Sequence, residues 1–215
     1  MIRKRASVLY ARGFNCEEET MEIIRRAGGI PRLVFLDDIL KGREKITDCD
    51  IFCIPGGFSY GDHIDAGAVV ALLMKEEFPK LVDAGIPVNG NCNGNQILVR
   101  FGAFGDKITM VENDSGRFCS HPFVRHHVFS SNCVWTEGLE RKIITFPAAH
   151  RFGKYDGDLN SAQIVLMFNG FSPNGGLVAG ICSDNGRIFA TMNHPERALD
   201  NDDCIQIYRN GLKAA

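Results

Sequence analysis

The sequence predicts an α/β fold with three αβα layers, a mostly parallel central sheet and an antiparallel β segment appended to it. Three observations carry this. From Ala6 to Phe101 short apolar runs alternate with stretches of helical spacing, the pattern of a parallel sheet covered on both faces. From Asn113 to Phe146 the chain changes to short β-like pieces separated by polar turns, which suits antiparallel strands. Glycine-containing loops close several of the runs, at the edge where open α/β sheets bind ligands. At 215 residues the chain is large enough for one such domain and short for two. With no internal repeat, low-complexity tract or linker, residues 1–215 read as a single domain.

Ala6 to Ala11 is the first strand, ending at Arg12-Gly13-Phe14-Asn15-Cys16. Glu17 to Arg26 is a helix whose acidic first turn suits the positive end of the helix dipole, and Gly28-Gly29 stops it. Pro31 to Leu36 is the second strand and Asp50 to Ile54 the third, which runs into Pro55-Gly56-Gly57-Phe58-Ser59-Tyr60-Gly61-Asp62. Helical spacing follows over Ala66 to Val82. In the β-rich middle Pro122 to Phe129 and Lys142 to Phe146 are β-like, and Phe146-Pro147-Ala148-Ala149-His150 returns to the ligand-binding edge. Ala162 to Asn169 is a further strand and Ser172 to Gly176 a turn. Val178 to Ser183 and Arg187 to Met192 form a hairpin through Asp184-Asn185-Gly186, whose Asn-Gly suits a tight turn. Asn193-His194-Pro195-Glu196-Arg197 follows, and Gln206 to Leu212 is a closing helix.

Composition excludes several classes of function. A net charge of -2 supplies no field that would recruit nucleic acid or anionic lipid. No apolar run approaches the ~20 residues that cross a bilayer, and Met1-Ile2-Arg3-Lys4-Arg5 leads into a short strand rather than the apolar core of a signal peptide. A cytoplasmic protein is expected. Of the eight cysteines, Cys49, Cys53 and Cys182 lie in or beside core strands, so reduced thiols are expected. No Cys-x-x-Cys pair occurs, and Cys49 and Cys53 have no histidine nearby, so no metal site is expected.

The stretch from Gly85 to Val99 is a short apolar strand that stops at a cysteine and continues as a helix. Gly90 and Gly94 stand two residues either side of Cys92, so the cysteine occupies a sharp strand-to-helix turn, a nucleophile elbow with sulfur in place of oxygen. There the sulfur lies close to the first free N–H groups of the helix, whose partial charge favours thiolate. A buried structural cysteine is the alternative, open until a base is found elsewhere.

Six histidines could serve as that base. His121, His126 and His127 lie in the β-rich middle, where alternation sends the adjacent pair to opposite faces and surface or interface positions are expected. His63 follows the glycine loop and His150 ends a strand. His194 ends a strand and is followed by Pro195 and Glu196; the proline holds the backbone so that the carboxylate can turn back toward the imidazole. Such a carboxylate fixes the tautomer and stabilises the imidazolium. Alone, His-Pro-Glu is equally compatible with a strand-terminal histidine and a solvated glutamate.

Taken together, Pro55-Gly56-Gly57, Gly90-Asn91-Cys92-Asn93-Gly94-Asn95-Gln96 and His194-Pro195-Glu196 resemble the triad-type, class I glutamine amidotransferases. Gly13-Phe14-Asn15-Cys16, Phe58-Ser59-Tyr60-Gly61-Asp62, Asn113 to Phe118, Pro147-Ala148-Ala149-His150, Pro173-Asn174-Gly175 and His194-Pro195-Glu196-Arg197 narrow the resemblance to the glutaminase subunits of phosphoribosylformylglycinamidine synthase. The resemblance implies a flavodoxin-like sheet and hydrolysis of L-glutamine to glutamate. It further implies that the ammonia passes to a synthetase large subunit, with or without a small accessory subunit, which makes an amidine in purine biosynthesis. No cofactor is implied for this chain; ATP and Mg are expected on the synthetase. Carried onto this sequence, Cys92 is the nucleophile, His194 the base and then acid, and Glu196 the orienting carboxylate. The N–H groups of Asn93 and Gly57 hold the oxyanion, and Gly56, Gly57, Gln96 and Phe118 bind substrate.

The chain also departs from the pattern. Arg151-Phe152 replaces a small residue and a glutamate, Asn193 stands where proline is common, and Asn91 and Asn95 replace bulkier apolar residues. A glutaminase subunit for a different synthetase and a stand-alone cysteine hydrolase of the same fold are alternatives. A non-catalytic glutamine-binding subunit is a third, which needs no nucleophile.

Overall fold

A computed structural model describes residues 3–59, 65 and 67–215. Its strands and α-helices run β1 (Arg5–Tyr10), α1 (Glu17–Arg26), β2 (Ile30–Phe35), α2 (Leu36–Leu40), β3 (Ile51–Ile54), α3 (Ala68–Leu73), α4 (Phe78–Asp83), β4 (Val88–Asn91), α5 (Asn93–Arg100), β5 (Ile108–Val111) and β6 (Cys119–Val128). There follow β7 (Ile143–His150), β8 (Lys154–Gly157), β9 (Gln163–Phe168), β10 (Val178–Cys182), β11 (Ile188–Thr191) and α6 (Asp202–Ala214). A sheet of nine of the described strands has the order β2-β1-β3-β4-β11-β10-β9-β6-β7, and β5 pairs with β8 alone.

From β2 to β11 every neighbour is parallel; from β11 through β10, β9 and β6 to β7 every neighbour is antiparallel. The antiparallel extension thus consists of β6 and β7, from the predicted β-rich middle, joined through β9 to the hairpin of β10 and β11. Alternation along the strands divides the core. Leu9, Phe52, Ile54, Ile188 and Ala190 pack with Val70, Met74, Ile97 and Leu98 of α3 and α5 on one face. Val8, Ile51, Cys53 and Phe189 pack with Ile23 and Ile24 of α1 and with Ile207, Tyr208 and Leu212 of α6 on the other. The central strands β3 and β11 are buried along their whole length because both faces are covered.

Register decides what meets at the edge. Gly90 of β4 is level with Ile54 of β3 and Ala190 of β11, and Asn91 with Thr191. One step further, the glycine loop after β3, Cys92 after β4 and the segment to His194 after β11 leave the sheet side by side. Helix α5 then lies close against β3: a Cβ built on Gly94 would stand 2.0 Å from the Ile54 carbonyl oxygen, and one on Gly90 2.7 Å from that of Gly94. The two glycines around the cysteine are what allow this approach.

The structure corrects three expectations. The helix over 66–82 is two short helices, because Pro79 lacks an N–H and clashes with the preceding turn; it sits in the first turn of α4 instead. The closing helix is longer than expected, beginning at Asp202 after Asn201, whose side chain accepts from the N–H groups of Asp203 and Cys204. And His126 is not at the surface. It is fully buried with its ring stacked on Phe146, centroids 3.7 Å apart, while His127 on the opposite face is partly exposed. Tyr60-Gly61-Asp62, His63 and Ala66 lie outside the described residues. Among the described residues no helix is long and apolar enough to cross a membrane, and all eight cysteines are free.

Gly94→Ala should lower the free energy of unfolding by about 3 kcal/mol, since the added methyl meets a backbone carbonyl that cannot move without shifting β3. Urea titration of the parent and variant measures this, and equal midpoints would contradict the close approach.

Candidate active site

Cys92 joins β4 to α5 with φ 52° and ψ -108°, a left-handed conformation unusual for a side-chain-bearing residue. Its N–H donates to the Thr191 carbonyl at 2.8 Å and its own carbonyl accepts the Gln96 N–H at 3.1 Å, so the turn is held from both the sheet and the helix. The thiol is nearly buried and donates to the Ala149 carbonyl at 3.7 Å. Gly56 lies against it: a Cβ there would be 2.9 Å from His194 Cε1, 3.0 Å from Cys16 Sγ and 3.3 Å from Cys92 Cβ. No other residue fits between the loop, the cysteine and the histidine.

His194 leads into a single 3-10 turn, Pro195–Arg197, that carries Glu196. The imidazole Nδ1–H donates to Glu196 Oε1 at 2.6 Å, both residues almost wholly buried. With Nδ1 committed, Nε2 is the nitrogen left to exchange a proton; it is buried and has no hydrogen-bond partner of normal length among the described residues. Burial works to push the His194 pKa down, but the Glu196 carboxylate, with the sulfur of Cys92 next, holds it well above the ordinary histidine range. Cys16, at the start of α1, lies 3.9 Å from Nδ1 and accepts from Arg197 Nη2 at 3.0 Å. Burial raises its thiol pKa, so it stands as a neutral neighbour.

The glycine loop is clamped to the 13–15 segment: Phe58 N–H donates to Gly13 and Asn15 N–H to the Gly56 carbonyl. Asn93 fastens it to α5 by accepting the Ser59 N–H at 3.0 Å, and its own amide donates to Gln96 Oε1 at 2.9 Å. Gln96 in turn donates to the Phe152 carbonyl at 3.0 Å. Phe118 is half-exposed, 6.4 Å from the Phe58 ring, at the rim above the loop. A cysteine, an imidazole with one nitrogen free, a buried carboxylate and free helix N–H groups brought together have the composition of an apparatus for acyl transfer.

Residues 3–210 match the family described as CobB/CobQ-like glutamine amidotransferase domain. The chain belongs to the glutamine amidotransferases of that family. The phosphoribosylformylglycinamidine synthase subunit PurQ of Dehalococcoides mccartyi is 34% identical over 99% of this chain and 92% of its own length. That of Picrophilus torridus is 36% identical over 92% of this chain and 88% of its own. Among solved structures, a chain of PurLQS from Thermotoga maritima superposes with a TM-score of 0.87 at 30% identity, covering 99% of both chains. A glutamine amidotransferase from the same organism, 14% identical with a TM-score of 0.61 over 91% of this chain and 77% of its own, shares the fold.

In this amidotransferase the structure brings Cys92, His194, Glu196, Gly56, Gly57 and Asn93 to one place, with Gln96 bonded to Asn93 and Phe118 beside Phe58 of the glycine loop. Sequence reasoning missed the polar residues behind them. His126 Nδ1–H donates to the Ile144 carbonyl, and its Nε2 pairs with Asn193 Nδ2. Asn193 Oδ1 meets His150 Nε2 at 3.0 Å. Asn113 Oδ1 lies 3.3 Å from His150 Nδ1 and accepts from the Gly153 N–H, and its amide donates to the His150 carbonyl. Asn193 was visible as a departure from the family pattern, without a partner to give it meaning. Arg151, the other departure, points outward to Glu112 at 2.6 Å.

Burial pushes the His126 pKa down to about 3 and that of His150 to about 4. Unfolded histidine binds a proton below about pH 6.5, which these folded ones refuse, so stability is full above that value and is lost as pH falls through the interval. Each contributes a slope of up to about 1.4 kcal/mol per pH unit. His194, with its pKa raised, contributes the opposite slope at higher pH. Urea unfolding at pH 7, 6 and 5 should show falling stability, with a shallower fall in His126→Gln; constant stability would contradict neutral burial.

Proposed function

We propose that the chain, residues 1–215 as one amidotransferase domain, is the glutaminase subunit of a phosphoribosylformylglycinamidine synthase, with Cys92, His194 and Glu196 as its catalytic triad. The observation that carries the triad is the buried His194 Nδ1–Glu196 pair at 2.6 Å, which leaves Nε2 free beside a cysteine in a strained turn. The relatives' shared name and their near full-length match support the synthase.

The Cys92 thiolate adds to the side-chain amide carbon of glutamine. The oxyanion is met by the N–H groups of Asn93, first in α5, and Gly57, neither of which donates to another described residue; each such donor is typically worth about 3 kcal/mol. His194 delivers its Nε2 proton to the departing nitrogen, ammonia leaves, and a thioester remains. Water then gives its proton back to His194 as it adds to the thioester, and glutamate departs with the thiolate restored. Glu196 stabilises the imidazolium in both halves. Gly56, Gly57, Gln96 and Phe118 form the substrate wall, Gln96 positioned by Asn93 and Phe152.

Ammonia in water is mostly ammonium, which is not nucleophilic, so transfer to the synthetase requires a docked partner. A small accessory subunit is compatible with the assembly, and ATP and Mg act on the synthetase. Phe58 and Phe118, exposed beside the glycine loop, suit a protein surface. A role in purine biosynthesis supports a cytoplasmic location.

Cys92→Ala assembled with its synthetase should lose amidine formation from glutamine by roughly a thousandfold or more, and His194→Ala should lose nearly as much. Both should retain synthesis from high ammonium salt. Amidine formation measured with each nitrogen source decides it: equal loss from both in an intact complex would refute the role of an ammonia source.

A further inference from the structure

Glu196 is fully buried, and an ionised carboxylate accepts hydrogen bonds without donating any. Oε1 takes the His194 proton. Oε2 takes Asn91 Nδ2 at 2.8 Å. The same amide nitrogen donates to the Tyr208 hydroxyl at 2.7 Å, and Asn91 Oδ1 accepts from Asn89 Nδ2 at 3.2 Å. The carboxylate settles which way the Asn91 amide points, because only its nitrogen end has protons to offer. Asn91 is the last residue of β4 and the neighbour of Cys92.

Two asparagines inside a sheet strand covered on both faces are costly unless their hydrogen bonds serve something. Here they lead to one atom, the carboxylate oxygen that His194 does not use. We propose that Asn91 is a positioning residue for glutamine hydrolysis, holding Glu196 charged and aimed at His194, with Asn89 setting the orientation of its amide. This rests on the reading of Cys92, His194 and Glu196 as the triad. The same strand then fixes the nucleophile directly and the base through its carboxylate.

The other groups facing Glu196 do not substitute for Asn91. Cys16, Cys53, Cys204 and Tyr208 are kept neutral by burial. Arg197 is charged, but its guanidinium is turned to Cys16 and Glu19. Among the described residues His194 and Asn91 are the side chains that donate to this carboxylate.

Asn91→Leu retains the size and removes the donor. Oε2 is then buried without a partner, the carboxylate turns out of line with Nδ1 to find one, and His194, deprived of its aligned negative neighbour, gives up its proton at a lower pH. Because that proton is needed by the leaving nitrogen, the loss of kcat should grow with pH, reaching about 10- to 100-fold, while KM for glutamine changes little. Asn89→Ala should move the alkaline limb of kcat/KM in the same direction by less, and it serves if Asn91→Leu does not fold. Glutamate release by parent, Asn91→Leu and Asn89→Ala, each assembled with the synthetase, is measured from pH 6 to 10. A downward shift of the alkaline limb supports the proposal. Unchanged activity, or a loss by one constant factor at every pH, overturns it. If the parent itself releases no glutamate, the triad reading fails instead.

Discussion

A carboxylate out of reach of water is the constraint on which the site depends. Glu196 has no exposure, and an unpaired charge in such a place is strongly destabilising. Its surroundings answer that demand from both sides of the reaction centre: an imidazole from the turn after β11 and an amide from β4. The arrangement turns a cost of burial into orientation, because the imidazole that satisfies the charge is thereby held by Nδ1 with its second nitrogen left free. The two elements that supply these donors are neighbours in the sheet, so the distance between them is fixed by backbone hydrogen bonds rather than by flexible loops.

Much of this was legible in the sequence where the signal is local. The elbow was readable because the two glycines around Cys92 have no other purpose than close approach, and helix α1 because its acidic start and glycine stop are explicit. The His-Pro-Glu turn was readable in kind, though only the structure closes the 2.6 Å contact. Short elements escaped: α2, β5 and β8 span too few residues to show a period, and β5 with β8 form a separate two-stranded pair that enters the core through Ile108, Met110 and Tyr155. The start of α6 carried a signal, Asn201 before two aspartates, that apolar spacing alone passes over.

Long-range polar contacts were illegible for a physical reason. Alternation told that His126 and His127 face opposite ways, and nothing local told which face was covered. His126 meets Asn193 across 67 residues, and Asn91 meets Glu196 across 105. In both cases the residue that departs from the family's apolar or proline habit is an asparagine inserted behind the reaction centre. The substitutions look arbitrary one at a time and coherent once the sheet brings their partners together.

The strand order has a consequence for how the protein is made. β4, which leads into Cys92, is synthesised long before its neighbour β11, and β11 is also the link through which β10, β9, β6 and β7 join the sheet. Until β11 has been made, β4 lacks its partner on one edge, and the sheet hydrogen bonds that join the parallel and antiparallel halves cannot form. A chain cut short of that point holds Cys92 without the buried pair of His194 and Glu196.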